Sequence, residues 1–156
     1  MFQLEELQWG CYEDPAEELV RFMETQKSHK MLYLCGDISC PILPSTCPDL
    51  VSIQGQSDAV AKLLPGRINV TEIYWNPTWF PDGNGDPAPG IAILPAMLPE
   101  LKRVRLLSIC GDGFSPAEPV LAKLVGHMPA LVVLEVGHLH HVCSLFLLDK
   151  ELSMGL

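Results

Sequence analysis

The sequence predicts an α/β chain of repeated units, with short parallel strands in one curved sheet and helices and irregular segments on its outer face. Three observations predict it. Apolar residues recur at spacings of three, three and two, each run having the length of a short strand. Helix-start signals lie between those runs, so strand and helix alternate as a parallel sheet requires. The 14 prolines among 156 residues, scattered from Pro15 to Pro129, punctuate many short elements and exclude one long helix or coiled coil. Apolar residues make up 48% of the chain, enough to build a core. The length suits one domain. Residues 1–156 therefore read as a single repeat domain of about six degenerate units, a fragment of a longer solenoid.

Met1-x-x-Leu4-x-x-Leu7-x-Trp9 opens the series and places a strand at about residues 5–9. Asp14-Pro15-Ala16-Glu17 then starts a helix, with a capping Asp, proline at the first position and acids in the first turn. That helix carries Leu19, Val20, Phe22 and Met23 and spans 15–26. Met31-x-x-Leu34-x-Gly36 marks a strand at about 32–36, with Ser28 where an apolar residue would complete the run. Pro41, Pro44 and Pro48 keep the connection from Asp37 to Pro48 extended or irregular. Cys47-x-x-Leu50-x-x-Ile53-x-Gly55 gives a strand at about 51–54, and Ser57 to Leu64 a short helix stopped by Pro65-Gly66. Val70-x-x-Ile73-x-Trp75 gives a strand at about 71–75, and a weak helix fits between Pro87 and Met97. Leu98-x-x-Leu101-x-x-Val104-x-Leu106 predicts a strand at about 102–107. Ser115-Pro116-Ala117-Glu118 starts a helix over 116–126 that ends at Gly126. Met128-x-x-Leu131-x-x-Leu134-x-Val136 gives the sixth strand, at about 132–136. Val142 to Leu148 reads as the start of another repeat. In this scheme Leu7, Leu34, Ile53, Ile73, Val104 and Leu134 form one buried ladder.

Stacking such units joins their apolar strand edges and helices into a continuous core, which no single unit can build. The pattern L-x-x-L-x-x-L-x-L followed by a helix of about ten residues, recurring every 20–30, resembles a leucine-rich-repeat solenoid. The phrases CPDLVSIQG…AKLLPGR and LPELKRVRLLSI…LAKLVGHMPALVVLEV resemble the degenerate repeats of fungal F-box-associated proteins, over about Phe2 to Val136. Gly36, Gly55 and two tryptophans stand at register positions where the pattern has leucine, and no F-box is found in this chain. The resemblance implies a non-catalytic protein–protein interaction module, the substrate-recognition part of an F-box-like ubiquitin-ligase adaptor.

Nineteen acidic against ten basic residues give a formal charge of −9. That balance argues against a nucleic-acid partner, because non-specific phosphate affinity comes from Lys and Arg displacing counterions. The N-terminal residues lack the basic and apolar regions of a signal peptide, and Val142 to Leu148 is too short to span a bilayer. A cytoplasmic or nuclear chain with free thiols, and no membrane partner, is expected. The sequon Asn69-Val70-Thr71 is idle in that setting. No polar cap precedes Met1 or follows Leu156, so self-association through uncapped ends is expected.

The rival class is a small metal-binding or hydrolytic enzyme using the C-terminal cluster His138-x-His140-His141-x-Cys143. These are zinc-ligand types. On one continuous strand, however, 138 and 140 share one face while 141 and 143 share the other. Asp82-Gly-Asn84-Gly-Asp86 copies half a calcium loop, but Pro87 stands where the sharp turn needs glycine and Ile93 where the loop needs its bidentate glutamate. No G-x-S-x-G or P-loop is present. The sequence therefore points to no enzyme, no metal and no cofactor.

What remains is a surface. Residues between the apolar positions of each strand face a shared concave sheet: Glu6 and Gln8, then Tyr33, Cys35 and Asp37, Ser52 and Gln54, Glu72, Tyr74 and Asn76, Arg103 and Arg105, Val133 and Glu135. Tyr33, Glu72, Tyr74, Arg103, Arg105 and Glu135 are the partner-binding candidates, since tyrosine and arginine are enriched at interface hot spots. The two arginines would serve an acidic or aromatic partner segment. The competing expectation is that they pair with Glu72 and Glu135 on neighbouring strands.

Overall fold

One backbone geometry recurs five times in the computed structural model. The carbonyl of Glu5 accepts hydrogen bonds from the amides of both Lys30 and Met31. Lys30 does the same for Val51 and Ser52, Val51 for Thr71 and Glu72, Thr71 for Arg105 and Leu106, and Arg105 for Val132 and Val133. Each strand from the second to the sixth is thus entered through the same forked bond from the segment leading into the strand before it.

The structure describes residues 4–10, 16–35, 42–76, 98–110, 118–138 and 141–146. In chain order the elements are β1 (Glu6–Gly10), α1 (Ala16–Thr25), β2 (Met31–Cys35), a 3-10 turn (Pro44–Thr46), β3 (Ser52–Gln56), α2 (Ser57–Leu63), β4 (Glu72–Asn76), α3 (Leu98–Leu101), β5 (Leu106–Cys110), α4 (Glu118–Val125), β6 (Val133–His138) and β7 (His141–Phe146). The strands form one sheet in the order β1 to β7. β1 to β6 are parallel, and β7 returns antiparallel against β6. The fold is α/β, with an open sheet of six parallel strands in sequence order.

That order decides where the helices go. Parallel crossovers are right-handed almost without exception, so strands added always on the same side put every connection on one face. Residues from all four helices, Leu19 and Met23, Ala59, Val60 and Leu63, Leu101 and Leu124, join one apolar cluster with the inward strand residues. Two rows cross the sheet on that side. Leu7, Leu32, Ile53, Ile73, Leu107 and Leu134 stand in register, followed by Trp9, Leu34, Gly55, Trp75, Ile109 and Val136. Each fully buried aliphatic side chain contributes about 1.5–3 kcal/mol.

The predicted ladder is corrected at two places: Leu32 stands where Leu34 was expected, and Leu107 where Val104 was expected. Leu34 belongs to the next row, and Val104 is buried three residues ahead of the ladder. Consistent with this, β5 occupies 106–110 instead of 102–107, and Leu98–Leu101 is helical. The segment expected to begin another parallel repeat is the antiparallel β7. Only two residues separate it from β6, whereas a parallel return needs a crossover of a dozen or more.

Local chemistry accounts for the other elements. Glu17 and Glu18 sit in the first turn of α1, where the helix dipole favours negative charge. α2 follows β3 with no intervening residue. It stops where Gly66 adopts φ 75°, a left-handed conformation that costs glycine nothing. The helix expected between Pro87 and Met97, and the Asp82–Asp86 segment, lie outside the described residues. Among the described residues, no helix is long and apolar enough to cross a membrane.

Candidate functional site

With all helices on one face, the opposite face of the parallel sheet carries no covering element among the described residues. Such sheets usually have both faces covered and read as continuous apolar runs. Here the outward positions line up in register as one mixed row, in which Met31, Leu106 and Val133 are apolar and half-buried, and one polar row. One row runs Glu6, Met31, Ser52, Glu72, Leu106, Val133, and the next Gln8, Tyr33, Gln54, Tyr74, Ser108, Glu135. Beyond these, Gly10 pairs with Cys35, Gln56 with Asn76 and Cys110 with Gly137.

Tyr33, Glu72, Tyr74 and Glu135 are brought together on this face as predicted, all half-buried. Tyr33 and Tyr74 share a row with Gln54 between them, and Ser108 separates Tyr74 from Glu135. Burial pushes the Tyr74 hydroxyl pKa up, and the charges of Glu72 and then Glu135 push it further. Burial likewise raises that of Tyr33, with Cys35 adding to the effect. Both phenols are therefore neutral hydrogen-bonding groups at physiological pH. Ser108 is buried, and its hydroxyl lies 3.7 Å from the Cys110 thiol.

Arg103 and Arg105 are not part of this row. Both precede β5; the strand neighbour of Tyr74 is Ser108. Arg105 uses its backbone in the forked bonds at the strand entrance, and Arg103 reaches the Ile68 carbonyl with Nη1 at 3.4 Å. The physical reason is the three-residue shift of β5, which moves both arginines out of the pleat. Among the described residues no ion pair joins either arginine to Glu72 or Glu135, so the expected neutralisation does not occur. Lys30, at the entrance to β2, is held by Glu5 at 2.8 Å.

Two buried polar side chains escaped notice in the sequence. Arg67 is 4% exposed, and His29 is fully buried. The Arg67 guanidinium donates to the carbonyls of Leu63, Cys47, Leu43, Pro44 and Ile42 at 2.6–3.3 Å, tying the 42–47 loop to the end of α2. Neither His29 nitrogen has a hydrogen-bond partner among the described residues. Burial lowers its pKa, and the Leu4 carbonyl, outside hydrogen-bonding geometry, pulls the other way by less. A signal for both existed: each stands three residues before an apolar position of the repeat.

Among the described cysteines, Cys35, Cys47 and Cys110 are free. No group of three or more His, Cys, Asp or Glu capable of holding a metal occurs among the described residues. His140 lies outside them. The backbone of the remaining cluster corrects the one-strand picture, because β6 and β7 form a hairpin that pairs His138 with His141 and Val136 with Cys143. Comparison of the chain with protein-family models, curated proteins and solved structures finds no match.

Proposed function

We propose that this chain is a leucine-rich-type solenoid acting as a non-catalytic protein-interaction module, the substrate-recognition part of an F-box-like adaptor. The five repeated forked bonds at the strand entrances support the solenoid, since a stack of equivalent units has one such junction per step. The observation that carries the interaction reading is a parallel-sheet face with no covering element among the described residues, set with Tyr33 and Tyr74 in one row and flanked by Glu72 and Glu135. Amphipathic aromatics on a rigid sheet supply contact area at low entropic cost. The test is crosslinked capture from cell extract by the wild-type chain and by Tyr33→Ala/Tyr74→Ala. Loss of the captured species in the variant, with an unchanged melting temperature, supports the reading. Identical capture by both chains overturns it.

A second reading, a small metal-binding or hydrolytic enzyme, draws on the hairpin register that sets His138 opposite His141. Elemental analysis decides it. About one equivalent of zinc, lost in His138→Ala/Cys143→Ala, supports a metal centre; protein without zinc removes it.

A further inference from the structure

The charge on the open face has one sign. Among the described residues of β1 to β6, that face carries Glu6, Glu72 and Glu135, and no lysine or arginine stands in any of these strands. Among the described residues, neither the Arg21–Glu17 nor the Lys30–Glu5 ion pair reaches Glu6, Glu72 or Glu135. Lys30 is engaged by Glu5, and Arg103 is turned to the Ile68 carbonyl. Glu72 and Glu135 converge on Tyr74 closely enough for both charges to act on its hydroxyl.

The shape is as specific as the charge. Tyr74, Ser108 and Glu135 stand side by side on β4, β5 and β6. Adjacent strands are about 4.8 Å apart, so the aromatic and the carboxylate spring from backbones roughly 10 Å apart with a small side chain between them. Ser108 between them is buried, so what a partner meets is the ring of Tyr74 and the carboxylate of Glu135. A tyrosine ring attracts a cation over its face, and a carboxylate beside it adds a charge-assisted hydrogen bond. An acidic segment, or a phosphate backbone, meets repulsion at the same place.

We propose that the open face binds an extended, lysine- or arginine-bearing segment of a partner protein, one cationic side chain meeting the half-buried Tyr74 and Glu135 across the buried Ser108, with Glu72 alongside. This rests on the interaction reading above and names the chemistry of its partner. It reverses the polarity expected from the sequence, in which Arg103 and Arg105 were to receive an acidic segment.

The test is fluorescence anisotropy with labelled synthetic peptides of alternating lysine and serine, glutamine and serine, or glutamate and serine. The lysine peptide is expected to bind the wild-type chain, with an affinity that falls as salt is raised. Glu72→Gln/Glu135→Gln should weaken it roughly tenfold or more. Glu18→Gln/Glu24→Gln, which changes the net charge equally on exposed positions of α1, should leave it within about twofold. An equal loss in the two double variants overturns the proposal, because the attraction then belongs to the whole chain's charge. Lysine-peptide binding insensitive to salt overturns it without reference to any variant. Binding of the glutamine or glutamate peptide instead, abolished by Tyr33→Ala/Tyr74→Ala, overturns the cationic partner while leaving the interaction module standing. Binding of none of the three overturns the proposal, and capture from extract then judges the broader reading separately.

Discussion

Arg67 donates a 2.8 Å hydrogen bond from Nη1 to the carbonyl of Cys47, the residue that holds the same place one unit earlier. Cys47, Leu50 and Ile53 lead into β3 as Arg67, Val70 and Ile73 lead into β4. The equivalent position is apolar again in Leu101 and Met128. A guanidinium has therefore replaced a core side chain and closes on five backbone carbonyls, without a carboxylate partner among the described residues.

Replacing that group should cost stability out of proportion to its volume. Arg67→Met keeps the bulk and removes every donor, leaving the carbonyls of Ile42 and Pro44 without a partner among the described residues, while those of Leu43 and Cys47 keep only the amides of Thr46 and Leu50. Buried groups left without a partner cost about 1–3 kcal/mol, so a loss of at least about 2 kcal/mol is expected in urea denaturation. Arg67→Lys should recover little, because a single ammonium cannot reproduce the planar fork.

Gly55 should tolerate no side chain. A Cβ there would stand 2.8 Å from the Leu34 carbonyl oxygen of the adjacent β2 and 3.0 Å from the Ala59 Cβ of α2, which folds directly back over β3. Overpacking of this kind typically costs about 1–3 kcal/mol, and Gly55→Ala should lower the thermal midpoint accordingly. At the edge strand, Gly10→Ala meets its nearest neighbour at 4.0 Å and should leave the midpoint nearly unchanged. Equal effects at the two glycines would contradict the close helix–strand approach.

His29 should make the fold acid-sensitive. Burial lowers its pKa in the folded chain, while the unfolded chain retains the ordinary value near about 6.5. Between those two values the unfolded state binds more protons, so stability rises with pH. The contribution is fully present above the unfolded pKa and is lost as the pH falls through it toward the lower folded value. His29→Leu should flatten the dependence of the urea midpoint on pH in that window. A slope identical to wild type would assign the acid sensitivity elsewhere.

The cysteines should separate by reactivity. Cys35 is exposed, whereas Cys47 is buried and its thiol pKa is raised by that burial, with Arg67 opposing the rise. The thiolate is the reactive form. A maleimide reagent under native conditions should label Cys35 and spare Cys47 until urea is added, as mass spectrometry of the digested protein would show.

The spacing of apolar residues by itself determined that the chain alternates short strands with helices and that Tyr33, Glu72, Tyr74 and Glu135 lie on one face, while parallel strands in sequence order were implied by the recurrence of that unit along the chain. The alternation and the shared face follow from periods of two and three that the backbone imposes locally. Register was less legible. Leu98-x-x-Leu101-x-x-Val104-x-Leu106 satisfies the same spacing as Leu101-x-x-Val104-x-x-Leu107-x-Ile109, one step of three later. Only packing against β4, where Ile73 meets Leu107, selects the second. In β2 the true frame, His29-x-x-Leu32-x-Leu34, was hidden because a polar residue fills an apolar place. The tertiary structure alone decided that Arg103 and Arg105 leave the open face, that Arg67 and His29 enter the core, and that β7 turns back. The first two depend on packing between one unit and the next, and the last on a two-residue connection too short for a parallel crossover. A short-range pattern records which residues avoid water, and it cannot record which neighbouring strand they avoid it against.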